Sequence, residues 1–162
     1  MTTEPGSGWR PGIVGWIVMQ HGEYYAREWD FGAYFEAKVA REVGEFVDRL
    51  DKNYNHLLWE IDALGPLAAV SVDGDDAENG LAHLRWFIAS DRGKGQGVGR
   101  RLIDRAIAAV KADGAEGLCL RTFSGLHAAH RLYSTSGFDL VDEARDRTRG
   151  TEVTEQRWEL RF

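Results

Sequence analysis

The sequence KGQGVGRRLI at residues 94–103 decides how the rest of the chain is interpreted. It lies between an apolar segment, residues 84–89, and an amphipathic helical pattern that continues to Ala112. Glycine at every second position allows several backbone N–H groups to approach one anion. The N–H groups in the first turn of a helix are unpaired and lie at the positive end of the helix dipole. The stretch therefore predicts a binding site for the diphosphate group of a phosphorylated ligand.

Two common phosphate-binding motifs do not fit this stretch. A Walker loop has Gly-Lys followed by Ser or Thr at the helix start, whereas Arg100 and Arg101 stand here. A dinucleotide-binding fingerprint has the order G-x-G-x-x-G early in a βαβ unit, with an acidic residue about 20 positions later. Here the order is G-x-G-x-G, and it begins at Gly95, more than halfway along the chain.

Length and composition predict one globular domain. A chain of 162 residues, 43% hydrophobic and 28% charged, is long enough to bury a core. No apolar run approaches the ~20 residues of a membrane-spanning helix, so we expect no membrane partner. The net charge of −6 argues against a nucleic-acid partner, because nucleic-acid-binding surfaces are basic. The lone Cys119 excludes an intramolecular disulfide and favours the cytoplasm, as does the lack of a signal-peptide core before residue 13.

Hydrophobic periodicity predicts an α/β fold, with a flexible leader over residues 1–12 and one domain over residues 13–162. We expect strands at residues 13–18, 56–62, 67–72, 81–89, 118–123, 138–143 and 153–162. We expect helices at residues 24–50, 98–112 and 126–134, with Gly32 and Gly44 bending or dividing the first of them. This order predicts a mixed, mostly antiparallel sheet of about seven strands flanked by about four helices.

Residues 94–103 resemble motif A of the GCN5-related N-acetyltransferases (GNAT). In that family the pattern Arg/Gln-x-x-Gly-x-Gly/Ala holds the pyrophosphate of acetyl-coenzyme A. Two registers fit, one that begins at Arg92 and one that begins at Lys94. We prefer the second, because it places residues 102–103 where the family's helix turns inward. Lysine at the first position then departs from the family's pattern.

The sequence RLYSTSGF at residues 131–138 resembles the end of the family's motif B, Leu-Tyr-x-x-x-Gly-Phe. The resemblance implies that Tyr133 points toward the sulfur of the coenzyme. A phenol stays protonated at neutral pH and can protonate the leaving thiolate as a general acid. Many members have an Asn seven residues before this Tyr, where Leu126 stands here. We expect Ser124, His127 or a water molecule to replace its contact with the pantetheine arm.

The resemblance covers residues 13–162 and implies the single-domain GNAT fold. Residues 15–26 and 84–88 also look like the acetyltransferase domains that bacteria often fuse behind MarR-type regulators. No such DNA-binding domain lies in residues 1–12, so we expect no DNA regulation from this chain.

The implied reaction is direct acetyl transfer from acetyl-CoA to a primary amine in a ternary complex. The resemblance implies that the backbone of Phe87, Ile88 and Ala89 binds the pantetheine arm and polarises the thioester carbonyl. It assigns the pyrophosphate to Lys94, Gly95, Gln96, Gly97, Val98, Gly99 and Arg100.

The remaining site residues concern proton transfer and the acceptor amine. Tyr133 is the expected acid, and Glu60 and His83 are the candidates for the general base, directly or through water. The family's acceptor pocket corresponds to the early helical segment and to the connection at residues 145–151. On the early segment the expected residues are Tyr24, Tyr25, Glu28 and Glu36.

Three functions remain open from the sequence. The first is an N-acetyltransferase that acts on a small-molecule amine, the second is a protein lysine or N-terminal acetyltransferase, and the third is a non-catalytic acyl-CoA-binding module. The presence of Tyr133 favours catalysis. The acidic run at residues 73–78 predicts a solvated hairpin tip, and because its spacing matches no calcium loop we expect no metal ion. The resemblance is also compatible with a homodimer, because dimers are frequent among members of the family.

Overall fold

A single sheet forms the centre of the structure, with helices on both of its faces. The computed structural model describes residues 2–162, which contain seven strands and four helices. In chain order these are β1 (Glu4–Ser7), α1 (Ile13–Trp29), α2 (Ala33–Asp48), β2 (His56–Asp62), β3 (Gly65–Glu78), β4 (Leu81–Ala89), α3 (Val98–Ala112), β5 (Gly117–Phe123), α4 (His127–Thr135), β6 (Asp139–Asp146) and β7 (Val153–Arg161). None of the helices within residues 2–162 combines the length and the apolar character that crossing a bilayer requires.

The strand order is β1-β2-β3-β4-β5-β7-β6. Only β4 and β5 pair in parallel among the described strands, and every other neighbouring pair is antiparallel. This confirms the predicted mixed, mostly antiparallel sheet and the predicted number of helices.

The N-terminal region differs from the sequence-based prediction in two ways. Residues 13–18 begin α1 and do not form a strand, because Ile13, Ile17 and His21 recur at four-residue spacing and are all buried. A short run of β-branched residues fits either structure until its partners are known. Residues 1–12 were expected to be a leader without regular structure, yet Glu4–Ser7 forms β1 and pairs antiparallel with β2.

Two hydrophobic layers hold the helices to the sheet. On one face α3 buries Val98, Leu102, Ile103, Ala106 and Val110 against β2, β3, β4 and β5. On the other face α1 and α2 bury an isoleucine- and phenylalanine-rich layer. The amphipathic period of α3 predicted its bounds correctly, since the helix spans Val98–Ala112.

The acidic segment after Val72 was expected to be a solvated hairpin tip, which is wrong for Asp73. This side chain is fully buried and accepts hydrogen bonds from Arg49 Nη2 at 2.7 Å and from Arg85 Nη1 at 3.3 Å. The strand continues through the segment to Glu78, and the turn lies at residues 79–80. Asp73 therefore joins the end of α2 to β3 and β4.

The feature that positions the site is the divergence of β4 from β5. These strands pair only from Leu81 to His83, opposite residues 117–119, and then separate. In β4, Trp86 and Phe87 together lie opposite one residue of β3, which is a β-bulge, and Trp86 has a φ of 48°. The bulge bends β4 away from β5 and leaves an opening in the sheet.

We expect Asp73→Asn to lower the free energy of unfolding by about 3 kcal/mol. The neutral amide would leave the guanidinium groups of Arg49 and Arg85 without the buried negative charge that they share. Burial by itself raises the pKa of Asp73, but the hydrogen bonds and charges of Arg49 and Arg85 outweigh it and hold the pKa below its ordinary value. The stabilisation is therefore complete above the ordinary aspartate pKa and is lost as pH falls through the lowered one. Urea unfolding of both proteins at pH 7 and in acid measures the difference and its decline.

Glu152→Gln is the matched control, because Glu152 pairs with Arg145 on the surface, where that arginine is 84% exposed. Such pairs contribute little, so the urea midpoint should stay at the wild-type value. Equal losses in the two variants would contradict a special role for the buried carboxylate.

Candidate active site

A cavity of about 220 Å³ lies between the diverging strands β4 and β5 and the helices α1 and α2. Aromatic rings that line it are those of Tyr25, Phe35, Trp86, Phe87, Phe123 and Tyr133. Charged side chains that line it are those of Lys38, Glu42, Arg85, Arg121, Arg149 and Glu155. The wall therefore combines aromatic rings with an equal number of charged side chains, which suits a small ligand that carries both apolar and polar groups.

Tyr133, on α4, is brought to this cavity as a buried phenol. Its ring packs against Phe138, Phe87 and Trp158, with centroids 5.9–6.4 Å apart. Its hydroxyl has no hydrogen-bond partner within residues 2–162, and it is accessible from the cavity although only 6% of the residue is exposed. Burial raises the pKa of Tyr133 well above its ordinary value, and the nearby Tyr25 raises it further. The phenol is therefore protonated at neutral pH and free to donate.

His83, at the point where β4 and β5 separate, also lines the cavity. Its Nδ1 lies 2.6 Å from Oδ2 of Asp76, and because a carboxylate only accepts, Nδ1 carries the proton. The lone pair of Nε2 is then available, and Nε2 has no partner in the described part of the chain. Burial lowers the pKa of His83, and the bond to Asp76 opposes this only in part. The imidazole is therefore neutral at pH 7 and can accept a proton.

Glu60 is not brought to the cavity. It faces α3 on the opposite face of the sheet, where Arg101 donates to it through Nε at 3.0 Å and Thr3 donates through its hydroxyl at 2.6 Å. Burial raises the pKa of Glu60, but these hydrogen bonds and the charge of Arg101 outweigh it, so the pKa is lowered. A carboxylate already bound by a guanidinium is a weak base, and its position excludes contact with the cavity.

The N-terminus of α3 has the geometry of an anion cradle. Gly95 and Gly97 have φ values of 76° and 75°, a conformation that side chains other than glycine rarely adopt, and Gly97 caps the helix without a side-chain bond. Ser90 orders the preceding loop, since its carbonyl accepts from the N–H groups of Gly93 and Lys94. Among the described residues no acceptor is found for the backbone N–H groups of Gly95, Gly97, Val98, Gly99 and Arg100.

The predicted cofactor-binding side chains of this loop are held by the protein itself. Lys94 Nζ lies 2.9 Å from Asp91 and 5.1 Å from the ring centre of Tyr24, and Gln96 donates to a backbone carbonyl. Arg100 donates to Thr135 and to the neighbouring serine at the end of α4. The groups of this loop that remain without partners among the described residues are therefore backbone N–H groups.

The geometry also bears on the register of the motif. Arg92 donates to Asp62 and to the carbonyl of Pro66, and α3 begins directly after Gly97. This favours the register that begins at Lys94. A Cβ at position 99 would lie 3.2 Å from Leu132 and Phe87, so glycine also permits close packing there.

The predicted pantetheine contacts divide into two groups. Phe87, Ile88 and Ala89 lie on β4 after the divergence, where the edge that faces β5 has no strand partner. Of these, only Phe87 lines the cavity, and its ring contacts that of Tyr133. Ser124 is exposed in the loop after β5, and its N–H donates to the carbonyl of Thr154.

Of the predicted acceptor-binding residues, the structure brings only Tyr25 to the cavity. Tyr24 packs beside Lys94, outside it. Glu28 is exposed and pairs with its neighbour in sequence, and Glu36 lies over Gly22 of α1. The connection at residues 145–151 was also predicted to form part of the acceptor pocket, and two of its residues, Thr148 and Arg149, line the cavity.

His21 is a cavity residue that sequence reasoning missed. It is 5% exposed, and its Nδ1 lies 2.7 Å from the carbonyl of Ile17, to which it donates. Burial lowers its pKa to about 4, so the ring is neutral. The four-residue spacing of Ile13, Ile17 and His21 was the signal that could have found it. Within residues 2–162 no group of three or more histidine, cysteine or acidic side chains is arranged to hold a metal ion.

Comparison with known proteins gives both a family and a fold. The sequence model of the Acetyltransferase (GNAT) family matches residues 23–138. The fold is similar to the ribosomal-protein-S18-alanine N-acetyltransferase of Escherichia coli, with 15% identity, a TM-score of 0.71, and coverage of 99% of this chain and 94% of that one. It is similar to a GNAT-family acetyltransferase of Staphylococcus aureus Mu50, with 14% identity, a TM-score of 0.73 and 99% of both chains covered.

A third similar structure is yncA of Salmonella typhimurium, solved with its cofactor acetyl-CoA. It shares 12% identity, with a TM-score of 0.74 over 99% of this chain and 94% of that one. No curated protein matches the sequence. The family match spans more than half of the chain, and it confirms the fold and the enzyme class predicted from motifs A and B: the chain belongs to the GNAT family of acetyltransferases.

Proposed function

We propose that this chain is an N-acetyltransferase that moves the acetyl group of acetyl-CoA to the primary amine of a small molecule, by direct attack in a ternary complex. The observation that carries the proposal is the cavity of about 220 Å³, whose wall holds both the Tyr133 phenol and the His83 imidazole. A proton donor and a proton acceptor on one wall are what amide formation from a thioester requires. The lone buried Cys119 supports a cytoplasmic location.

The donor site is supported by the cradle at α3. When bound, acetyl-CoA supplies an activated acetyl group as a thioester and a diphosphate as an anchor. The unpaired N–H groups at residues 95 and 97–100 lie at the positive end of a 15-residue helix and suit that diphosphate. The unpaired edge of β4 beyond His83 offers backbone groups to an extended amide-containing arm.

His83 is the proposed general base. Its neutral imidazole takes a proton from the attacking amine at Nε2, directly or through water, while Asp76 holds the ring and stabilises the charge that develops. His21 is also neutral, but its low pKa of about 4 makes it a poor base near pH 7.

Tyr133 is the proposed general acid. As the amine nitrogen bonds to the carbonyl carbon and the carbon–sulfur bond breaks, the phenol gives its proton to the leaving thiolate. The backbone at the bulge beside Phe87 offers N–H groups toward the developing negative charge on the carbonyl oxygen. The phenol regains its proton from solvent, and the amine's proton leaves through His83.

The elements that cover the cavity favour a small acceptor over a protein. Helices α1 and α2 cover one side, and the connection between β6 and β7 returns over it, so that Thr148 and Arg149 line the cavity. Gly150 in this connection packs against the ring of Tyr34 on α2. A protein acceptor needs an open groove for an extended segment.

We expect Tyr133→Phe to lower kcat by about 100-fold, because the thiolate loses its proton donor. Binding of acetyl-CoA should be unchanged, since the ring remains. Release of free thiol from acetyl-CoA with a panel of amines measures the rate. Tyr54→Phe is the control, because Tyr54 bonds Asp75 outside the cavity. Equal rates in Tyr133→Phe and wild type would remove Tyr133 from the mechanism.

We expect Gly97→Asp to abolish binding of acetyl-CoA, because its carboxylate would lie beside the unpaired N–H groups of the cradle and repel the diphosphate. We expect Gly99→Asp to abolish binding as well, because its side chain would crowd Leu132 and Phe87 and displace the start of α3. In the wild type, acetyl-CoA at about 100 times its Kd should raise Tm by about 5–10 °C. Gly44→Asp, in an open position on α2, should keep that shift. A full shift in Gly97→Asp would contradict the cradle, and the Tm without ligand reports whether each variant is folded.

We expect kcat/KM to rise with pH through an apparent pKa below the ordinary histidine value, because burial lowers the pKa of His83 and the enzyme needs the neutral ring. Asp76→Asn should move that rise to lower pH, since the carboxylate favours the protonated ring. His83→Gln should lower kcat/KM by about 100-fold at pH 7 and remove the acid limb. An unchanged pH profile in both variants would assign the base elsewhere.

A further inference from the structure

Arg149 is a cavity residue whose hydrogen-bonding capacity is largely unused. It lies in the connection between β6 and β7, and its guanidinium stacks on Phe123 with 5.2 Å to the ring centre. Its three nitrogen atoms carry five N–H bonds. Among residues 2–162 only Nη1 has an acceptor, which is the carboxylate of Glu155 at 2.7 Å. Nε and Nη2 are not among the buried unpaired atoms, which belong to Arg10 and Arg157, so they remain accessible.

Arg149 is also held in place rather than loosely attached. Its side chain is 17% exposed, and it lies close enough to Tyr25 for its charge to lower the pKa of that phenol, against a larger upward effect of burial. The adjacent Gly150 rests on the ring of Tyr34. A fixed guanidinium that offers Nε and Nη2 side by side matches the two oxygens of a carboxylate.

The other charges on the cavity wall do not compete for an anion. The two lining carboxylates, Glu42 and Glu155, are each bound by two cations: Glu42 by Lys38 and Arg85, and Glu155 by Arg149 and Arg121. Both lining histidines are neutral at pH 7, as their lowered pKa values indicate. Four cationic side chains thus face two carboxylates, and no carboxylate on the wall is left for a second cation of the acceptor.

The rest of the wall specifies the body of the acceptor. The rings of Tyr25, Phe35, Trp86 and Phe123 surround the space beside Arg149, and they favour an apolar or aromatic group. The cavity of about 220 Å³ has room for one amino acid and not for a folded chain.

We propose that the acceptor is an amino acid with a free carboxylate and an apolar or aromatic side chain, and that Arg149 determines this specificity by binding the carboxylate. This inference rests on the proposed acetyl transfer to a small amine and names its substrate class. A polyamine, which carries further cations and no carboxylate, should be a poor acceptor.

The test compares acceptors that differ only in the carboxylate. Initial rates of thiol release from acetyl-CoA are measured for phenylalanine, phenylalaninamide and 2-phenylethylamine, and for the same series built on leucine and on tryptophan, each normalised to its free-amine concentration. We expect kcat/KM for at least one amino acid to exceed that of its amide and its decarboxylated amine by about 10- to 100-fold. Arg149→Gln should remove this preference mainly by raising KM for the amino acid far more than KM for the decarboxylated amine, and Arg149→Lys should restore part of the preference.

Arg145→Gln is the control, because Arg145 is 84% exposed and lies outside the cavity. Equal use of amino acids and their decarboxylated amines, or an equal effect of Arg149→Gln on both, would overturn the carboxylate proposal while acetyl transfer stands. Preference for spermidine or for a peptide over every amino acid would overturn it as well. Absence of thiol release with every amine, together with no Tm shift from acetyl-CoA, would overturn the proposed function itself.

Discussion

The separation of β4 from β5 after three paired residues is the constraint on which the rest of the site depends. Two parallel strands that stayed paired would close the sheet and leave no space between its faces. The bulge at Trp86 bends β4, and the sheet then holds an unpaired strand edge inside the domain. Unpaired backbone groups in such a position cost free energy unless water or a ligand satisfies them. The fold therefore keeps an unpaired strand edge at its centre, with the α3 N-terminus on one side and the cavity on the other.

Ion pairs fix the walls around this opening. Glu60 and Arg101 join β2 to α3 beneath the sheet, and Asp73 joins α2 to β3 and β4 above it through Arg49 and Arg85. Removing one partner of such a pair leaves a poorly solvated charge, so these contacts resist local rearrangement. Beside these paired charges, the groups around the opening that have no partner in residues 2–162 are the ones that a ligand can use. They are the N–H groups at the start of α3, the Tyr133 hydroxyl, Nε2 of His83, and Nε and Nη2 of Arg149.

The two histidines in the cavity show how burial separates roles. Both rings are neutral at pH 7, yet His21 is bound to the carbonyl of its own helix and has a pKa of about 4. His83 is bound to a carboxylate, which keeps it more basic than burial alone would. The same residue type therefore acts as a fixed hydrogen-bond donor in one position and as a proposed base in the other, and the group bonded to Nδ1 makes the difference.

Local signals were sufficient for the part of the site that is made of backbone. Glycine spacing and the helical period of residues 98–112 predicted the cradle, and the motif around Tyr133 predicted a phenol that the structure does place in the cavity. Both depend on neighbours in sequence, so the chain by itself determined them. The failures all concern contacts between distant segments. Residues 13–18 fit a strand or a helix by sequence, and packing of Ile13 and Ile17 against α2 selects the helix. Glu60 is a candidate base by sequence, but Arg101 binds its carboxylate. Asp73 is expected at the surface by sequence, but Arg49 pairs with it in a buried position.

What the sequence by itself determined is the order of the elements around the cradle and the family to which the chain belongs, because both are written in short-range patterns of glycine and hydrophobic residues. Which side of the sheet each polar residue faces was decided only by the tertiary structure. Glu60 on β2 and His83 on β4 belong to the same sheet, yet one is paired under α3 and the other faces the cavity. The physical reason is that successive residues of a strand point to opposite faces of the sheet, and each face is covered by different helices. A bulge shifts this alternation, so the face that a residue points to depends on the strand pairing.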